Sequence, residues 1–342
     1  MPASAVDVIP PALQHAKQQL FEPFRLGQWA RLAVVGLLAG EMSSGGCNWG
    51  APFDLANSGR DELVAQTLPA FNPALTVALI TLLVICLVAV WLILLYVNSR
   101  MRFVLFDSVV TKYCRIRSFW KDRREVGFRY FVWQVGFSLA TLASVAIVIG
   151  IPILLAFRLG LLESPRENLL PLVFVGVNVA LIAAGVLISA GIVHVLTKDF
   201  VVPQMACEGV GAIEGWRRLW PMLKDDKVGY AVYVVLKLVL AIVAAIVFLI
   251  IMLFILLFLL IPVGGAGAVA VLAARAAGVT WNIFTIAIAV VAAIVGLAAM
   301  FFVAALVSVP AIVFFPAYSM YFFAARYDPL DSLLKAPVAA PS

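Results

Sequence analysis

The side chains that could do chemistry in this chain are few and sit in three places. Lys237 lies about two turns into an apolar run that begins at Tyr230. A charge at mid-bilayer costs about 2.5–3.5 kcal/mol, so its presence needs a reason. Two reasons stay open: the lysine snorkels to the nearer interface along its methylene stem, or it belongs to a buried substrate or partner site. His194, near the end of the run 170–196, has neither a second ligand nor a carboxylate beside it and reads as an interfacial side chain. The third place is a pair of polar islands, 98–129 and 199–229. Their acids, Asp107, Glu208 and Glu214, have arginines such as Arg123, Arg124, Arg217 and Arg218 as expected surface partners. Those four arginines, Trp216 and Lys237 are the residues expected to bind a ligand or partner. No nucleophile is paired with a base and no loop cradles phosphate, so catalysis is not expected. Cys47, Cys86, Cys114 and Cys207 show no CxxC or Cys/His spacing, so neither a metal nor a cofactor is expected.

The elements that must hold these residues are membrane spans. The 342 residues are 64% hydrophobic and only 12% charged, where a soluble domain would carry about 25% charged residues. Apolar runs at 26–42, 74–97, 130–157, 170–196, 230–261 and 281–309 predict six transmembrane helices, the first short and interrupted by Arg31. A re-entrant hairpin is the alternative for 26–42. Segments assigned inside hold 19 Lys or Arg, against four assigned outside (Arg60, Arg158, Arg166 and Arg275), which puts both termini in the cytoplasm. Residues 1–25 carry charges and no apolar core, so no cleavable signal is expected, and the location expected is a bacterial inner membrane. The net charge of +6 is concentrated between spans. That pattern points to lipid headgroups and topology, and away from nucleic acid. One membrane domain is expected over 1–328, with a disordered tail over 329–342.

The chain also repeats itself. RFVLFDSVVTKYCRIRSFW (102–120) aligns without gaps on DFVVPQMACEGVGAIEGWR (199–217), and VFFPAYSM (313–320) echoes FVVPQMAC (200–207). Three units, about 11–110, 111–207 and 208–326, are therefore expected. Each has an amphipathic surface helix, a span, an outer loop, a second span and an apolar exit element. In the third, Val210, Ile213, Trp216 and Trp220 form the apolar stripe expected to float at the membrane surface. The expected fold is all-α: a polytopic membrane protein of six helices in three pseudo-repeated hairpins with interfacial helices.

Val202-Pro203, Glu208-Gly209 and Ala212-Ile213-Glu214-Gly215-Trp216-Arg217-Arg218 carry a resemblance to the membrane domain that precedes the catalytic domain of some bacterial glycerophosphodiester phosphodiesterases. They are also similar to related uncharacterised bacterial integral-membrane families, as is the opening segment 21–29. The resemblance implies a fold and a membrane location. The phosphodiesterase barrel has no counterpart here, so no activity is implied. The sequence thus leads to a non-enzymatic scaffold that binds membrane lipids and a membrane protein partner or a second copy of itself. A transporter or lipid-handling permease is the alternative.

Overall fold

The computed structural model describes residues 4–22, 24–41, 73–161, 168–276 and 283–335. The expected outer loop at 43–72, with Cys47 and Arg60, lies outside the described residues, as do Arg166 and the last residues of the tail.

Among the described residues every regular element is helical. Helices α1 (Ile9–Phe21) and α2 (Leu26–Leu38) precede α3 (Pro73–Val110). Next come α4 (Ile116–Asp122), α5 (Arg124–Arg158) and α6 (Leu169–Leu196). A π-helical turn, Thr197–Val201, joins α6 to α7 (Val202–Glu208). Then follow α8 (Ala212–Asp225), α9 (Lys227–Ala276), α10 (Ile283–Ala324) and α11 (Asp328–Lys335). Five of the described segments are long and apolar enough to cross a membrane, carried by α3, α5, α6 with its extension, α9 and α10. Their apolar side chains stand largely exposed, as Leu142, Phe174, Leu249 and Leu297 do, which is the surface a helix presents to lipid.

The expected first span is different. α2 has 13 residues and is about 20 Å long, too short for a hydrocarbon core of about 30 Å. It runs antiparallel beside the last turns of α3. Near its start Gln28 Nε2 donates to the Lys112 carbonyl at 2.8 Å. At its end Asn98 Nδ2 donates to Leu38 O at 3.1 Å, and Arg102 Nη2 to Ala39 O at 3.0 Å. The polar residues Gln28 and Arg31, which interrupt its apolar run, suit this flank better than a crossing.

The core lies at one end of the molecule. It is built from the expected exit elements, which continue their spans as helix: residues 99–109 of α3, 196–206 around the π-turn, and 308–323 of α10. Pro310 and Pro316 sit inside α10 without ending it; proline is tolerated in membrane helices where neighbours take up the freed carbonyl. Phe200 packs against Tyr230, Tyr233, Phe322 and Phe323 with ring centroids 5.1–6.0 Å apart. α1 docks across α3 and α10, with His15 Nε2 2.9 Å from Val109 O and Nδ1 3.2 Å from the Tyr321 hydroxyl. The N-terminal and C-terminal helices therefore share one end of the molecule.

Two further expectations change. α8 is amphipathic, but its buried face is Ala212, Gly215 and Leu219 rather than the predicted stripe. A Cβ on Gly215 would lie 2.7 Å from Val201, so glycine allows the close approach. Ile213 stays 78% exposed and Trp220 is also exposed, leaving them free for the headgroup layer. The expected disordered tail opens as α11, anchored by buried Leu330.

Two predictions follow from this packing. A Cβ on Gly36 would meet Ile312 Cγ2 at 2.4 Å, so Gly36→Val should destabilise the α2–α10 contact by about 1–3 kcal/mol, read as a lower midpoint of thermal unfolding in detergent. Burial holds the His15 imidazole below its ordinary value, with Lys112 acting in the same sense and the bond to Val109 opposing them. Docking of α1 is then at full strength above about pH 6.5 and weakens as the pH falls, because the undocked histidine takes up a proton first. Proteolysis within α1 should be faster at about pH 5.5 than at about 7.5, and His15→Gln should flatten that dependence.

Candidate functional site: a buried ion network and a cationic cleft

Asp199 and Lys198 are neighbours in sequence; Asp199 is buried and the Lys198 side chain is 12% exposed. Adjacent positions on an α-helix diverge by about 100°. The π-turn that carries both residues tightens this angle by placing more residues in each turn. Asp199 Oδ2 accepts from Lys237 Nζ at 2.5 Å and from the Tyr233 hydroxyl at 3.0 Å. Lys198 pairs with Glu41, which follows α2. Arg102, one turn past Asn98 on α3, donates to Ala39 O at 3.0 Å and to the Tyr130 hydroxyl at 3.3 Å. Glu41, Arg102, Lys198, Asp199 and Ser319 line a cavity of about 30 Å³, room for about one water. The network thus ties α2, α3, the π-turn and α9 to one another in the core.

Lys237 belongs to this network. It is 8% exposed and bound to Asp199 rather than reaching for an interface. Its partner lies 38 residues earlier in the chain, in a stretch that looks like the edge of a polar island. His194 lines a separate cavity beside Arg102, Asn98 and Gln134.

The remaining candidates do not converge on one place. Arg123 clasps Asp107 through Nε and Nη2, both at 2.8 Å, and donates Nη1 to Ala206 O at 2.6 Å, so it joins α3 to α7. Arg124 is exposed. Trp216 donates to Thr197 Oγ1 at 3.0 Å and fixes α8 against the π-turn. Arg218 pairs with Glu208 and, at 3.3 Å, with Glu214. Tyr327 also donates to Glu208, bringing the chain after α10 to the same carboxylate. Arg217 is exposed, 3.8 Å from Glu214. Asp226 accepts from Arg326 at 2.7 and 3.1 Å, and these bonds hold its carboxyl below the usual range.

A second feature lies between α2 and the α4 region. Arg31, Arg115, Arg117 and Lys121 surround a cleft of about 660 Å³, with Ile116 and Ser118 completing its wall. Among the described residues four cations and no carboxylate line it, and the lining Ser118 donates to Asp122 at 3.2 Å. Arg31 comes from α2 and the others from the α4 region, so the cleft exists only because α2 lies beside the C-terminal end of α3. The described residues contain no cluster of three or more His, Cys, Asp or Glu able to hold a metal ion.

The chain belongs to DUF7544, a family of unknown function. The family model matches residues 3–333, which takes in the ion network and the cleft. No curated protein matches the chain, and no solved structure does. The resemblance to the phosphodiesterase membrane domain therefore has no counterpart among these matches, whereas membership of an uncharacterised family agrees with the sequence reading.

Removing one partner from a buried ion pair costs about 3–5 kcal/mol, because the other charge is left uncompensated. Asp199→Asn and Lys237→Met should each lower unfolding stability by an amount of that order. The double variant should recover a large share, and a coupling energy below about 0.5 kcal/mol in the double-mutant cycle would refute the pairing.

Proposed function

We propose that this protein is a non-enzymatic, multi-pass protein of a bacterial inner membrane that organises anionic lipid and docks a membrane partner on its cytoplasmic face. The cleft of Arg31, Arg115, Arg117 and Lys121 carries this reading: four cations face one another with no acid on the lining. All four are exposed, and an anionic leaflet attracts such side chains at about 1 kcal/mol per basic residue near its surface. The exposed Trp220 and Ile213 on α8 support a surface lying in the same headgroup layer. In this reading both termini are cytoplasmic, as the positive-inside count requires. The exit elements 99–109, 196–206 and 308–323 contribute much of the buried core.

A lipid-handling permease is the second reading. It is favoured by one observation, a charged network built on a π-turn, since such turns often mark functional sites.

The test is a triple variant, Arg115→Gln, Arg117→Gln and Lys121→Gln, purified beside the wild type and reconstituted in mixed anionic and zwitterionic bilayers. Loss of three contacts should reduce enrichment of anionic lipid around the protein by roughly ten- to a hundredfold. Unchanged lipid enrichment together with unchanged co-purifying protein would remove the proposal.

A further inference from the structure

The buried network has an unbalanced charge. Arg102, Lys198 and Lys237 bring three positive charges and Glu41 and Asp199 two negative ones, so the sum with all five ionised is +1. Lys198 and Lys237 each have a carboxylate partner. Arg102 is 5% exposed and donates to two neutral oxygens, of Ala39 and Tyr130. Glu41 lines the same small cavity but is already bound to Lys198, so the excess of one positive charge calls for a further anion close by.

The place for that anion is next to it. Arg102 also lines a cavity of about 510 Å³ between α2, α3, α5 and α6, a size suited to a small-molecule ligand. Its wall is divided. Asn98, Arg102, Gln134 and His194 form a polar side, while Trp91 and Leu95 belong to the apolar side. Asn98 and Arg102 lie just past the inner end of the apolar run of α3, so the polar side sits at the level of headgroups and the apolar side at the level of chains. Hydrogen-bonding capacity is left over on the polar side. Asn98 Oδ1, Gln134 Oε1 and Arg102 Nε are buried and have no partner among the described residues. Asn98 Nδ2 is committed to Leu38 O, so its free atom is the acceptor. Two free acceptors and one cationic donor call for a group with both a negative charge and hydroxyl donors.

We infer that this cavity binds the headgroup of a singly anionic phospholipid bearing free hydroxyls, with its phosphate on Arg102, its hydroxyls on Asn98 and Gln134, and its chains against Trp91 and Leu95. The site shares no residue with the basic cleft and does not depend on that reading. It is a single stoichiometric site read by shape and hydrogen bonds, where the cleft acts by charge alone.

The experiment uses the full chain in nanodiscs of phosphatidylglycerol and phosphatidylcholine in equal amounts, released gently and weighed by native mass spectrometry. One phosphatidylglycerol should stay bound per chain in preference to phosphatidylcholine. Gln134→Leu, which leaves all five charges in place, should reduce that preference roughly tenfold through one lost hydrogen bond. Leu95→Trp, which fills the apolar side, should abolish retention of either lipid. The cleft triple variant should keep the bound lipid. Equal retention of both lipids by the wild type, or retention unchanged in both pocket variants, overturns the inference. So does displacement of the lipid by excess inorganic phosphate, which would assign the site to a soluble anion.

Discussion

The end of this molecule that holds the core depends on keeping five charges largely out of water in one geometry. Desolvating an ion costs several kcal/mol even after relaxation. The core can hold Glu41, Arg102, Lys198, Asp199 and Lys237 only if the elements that carry them meet in one geometry. Lys237 comes from α9, Asp199 and Lys198 from the π-turn, Glu41 from the end of α2 and Arg102 from α3. Apolar packing would accept several registers of these helices; the ion pairs accept few. The aromatic cluster around Phe200 then fills the space the charges define.

This arrangement divides the protein into two materials. In the bilayer, long helices expose apolar side chains and make few specific contacts. At one face, their extensions and the helices α1, α2 and α8 make a core with the buried aromatics, ion pairs and capped backbone of a soluble domain. Gly209, in the left-handed conformation with φ of 69°, ends α7 and turns the chain into α8. Gly36 and Gly215 let helices approach at contacts that a larger residue would hold apart.

Much of this was legible in the sequence, in proportion to how local the signal was. Uncharged runs identify the spans of α3, α5, α6, α9 and α10, because crossing a bilayer is a property of consecutive residues. The exit elements are visible as apolar runs, yet their burial is not, since it arises from their meeting one another. α2 looks like a short span because its composition is apolar; the carbonyls of Lys112, Leu38 and Ala39 that place it beside α3 leave no trace in composition. Lys237 stands out at once as a charge in an apolar run, while its partner Asp199 does not. Pro310 reads as a helix end by local preference, and the surrounding bundle overrides that preference.

The 50-residue α9 is about 75 Å long, more than twice the thickness of the hydrocarbon it crosses. Its inner end is clamped through Tyr230, Tyr233 and Lys237, within the first eleven residues. Beyond that clamp its side chains stand mostly exposed as far as Phe258. The helix is therefore a lever with its fulcrum at the Asp199 pair. A helix longer than the hydrocarbon is thick takes up the excess by tilting or by projecting beyond it, and the Lys237–Asp199 pair is the point from which α9 does so.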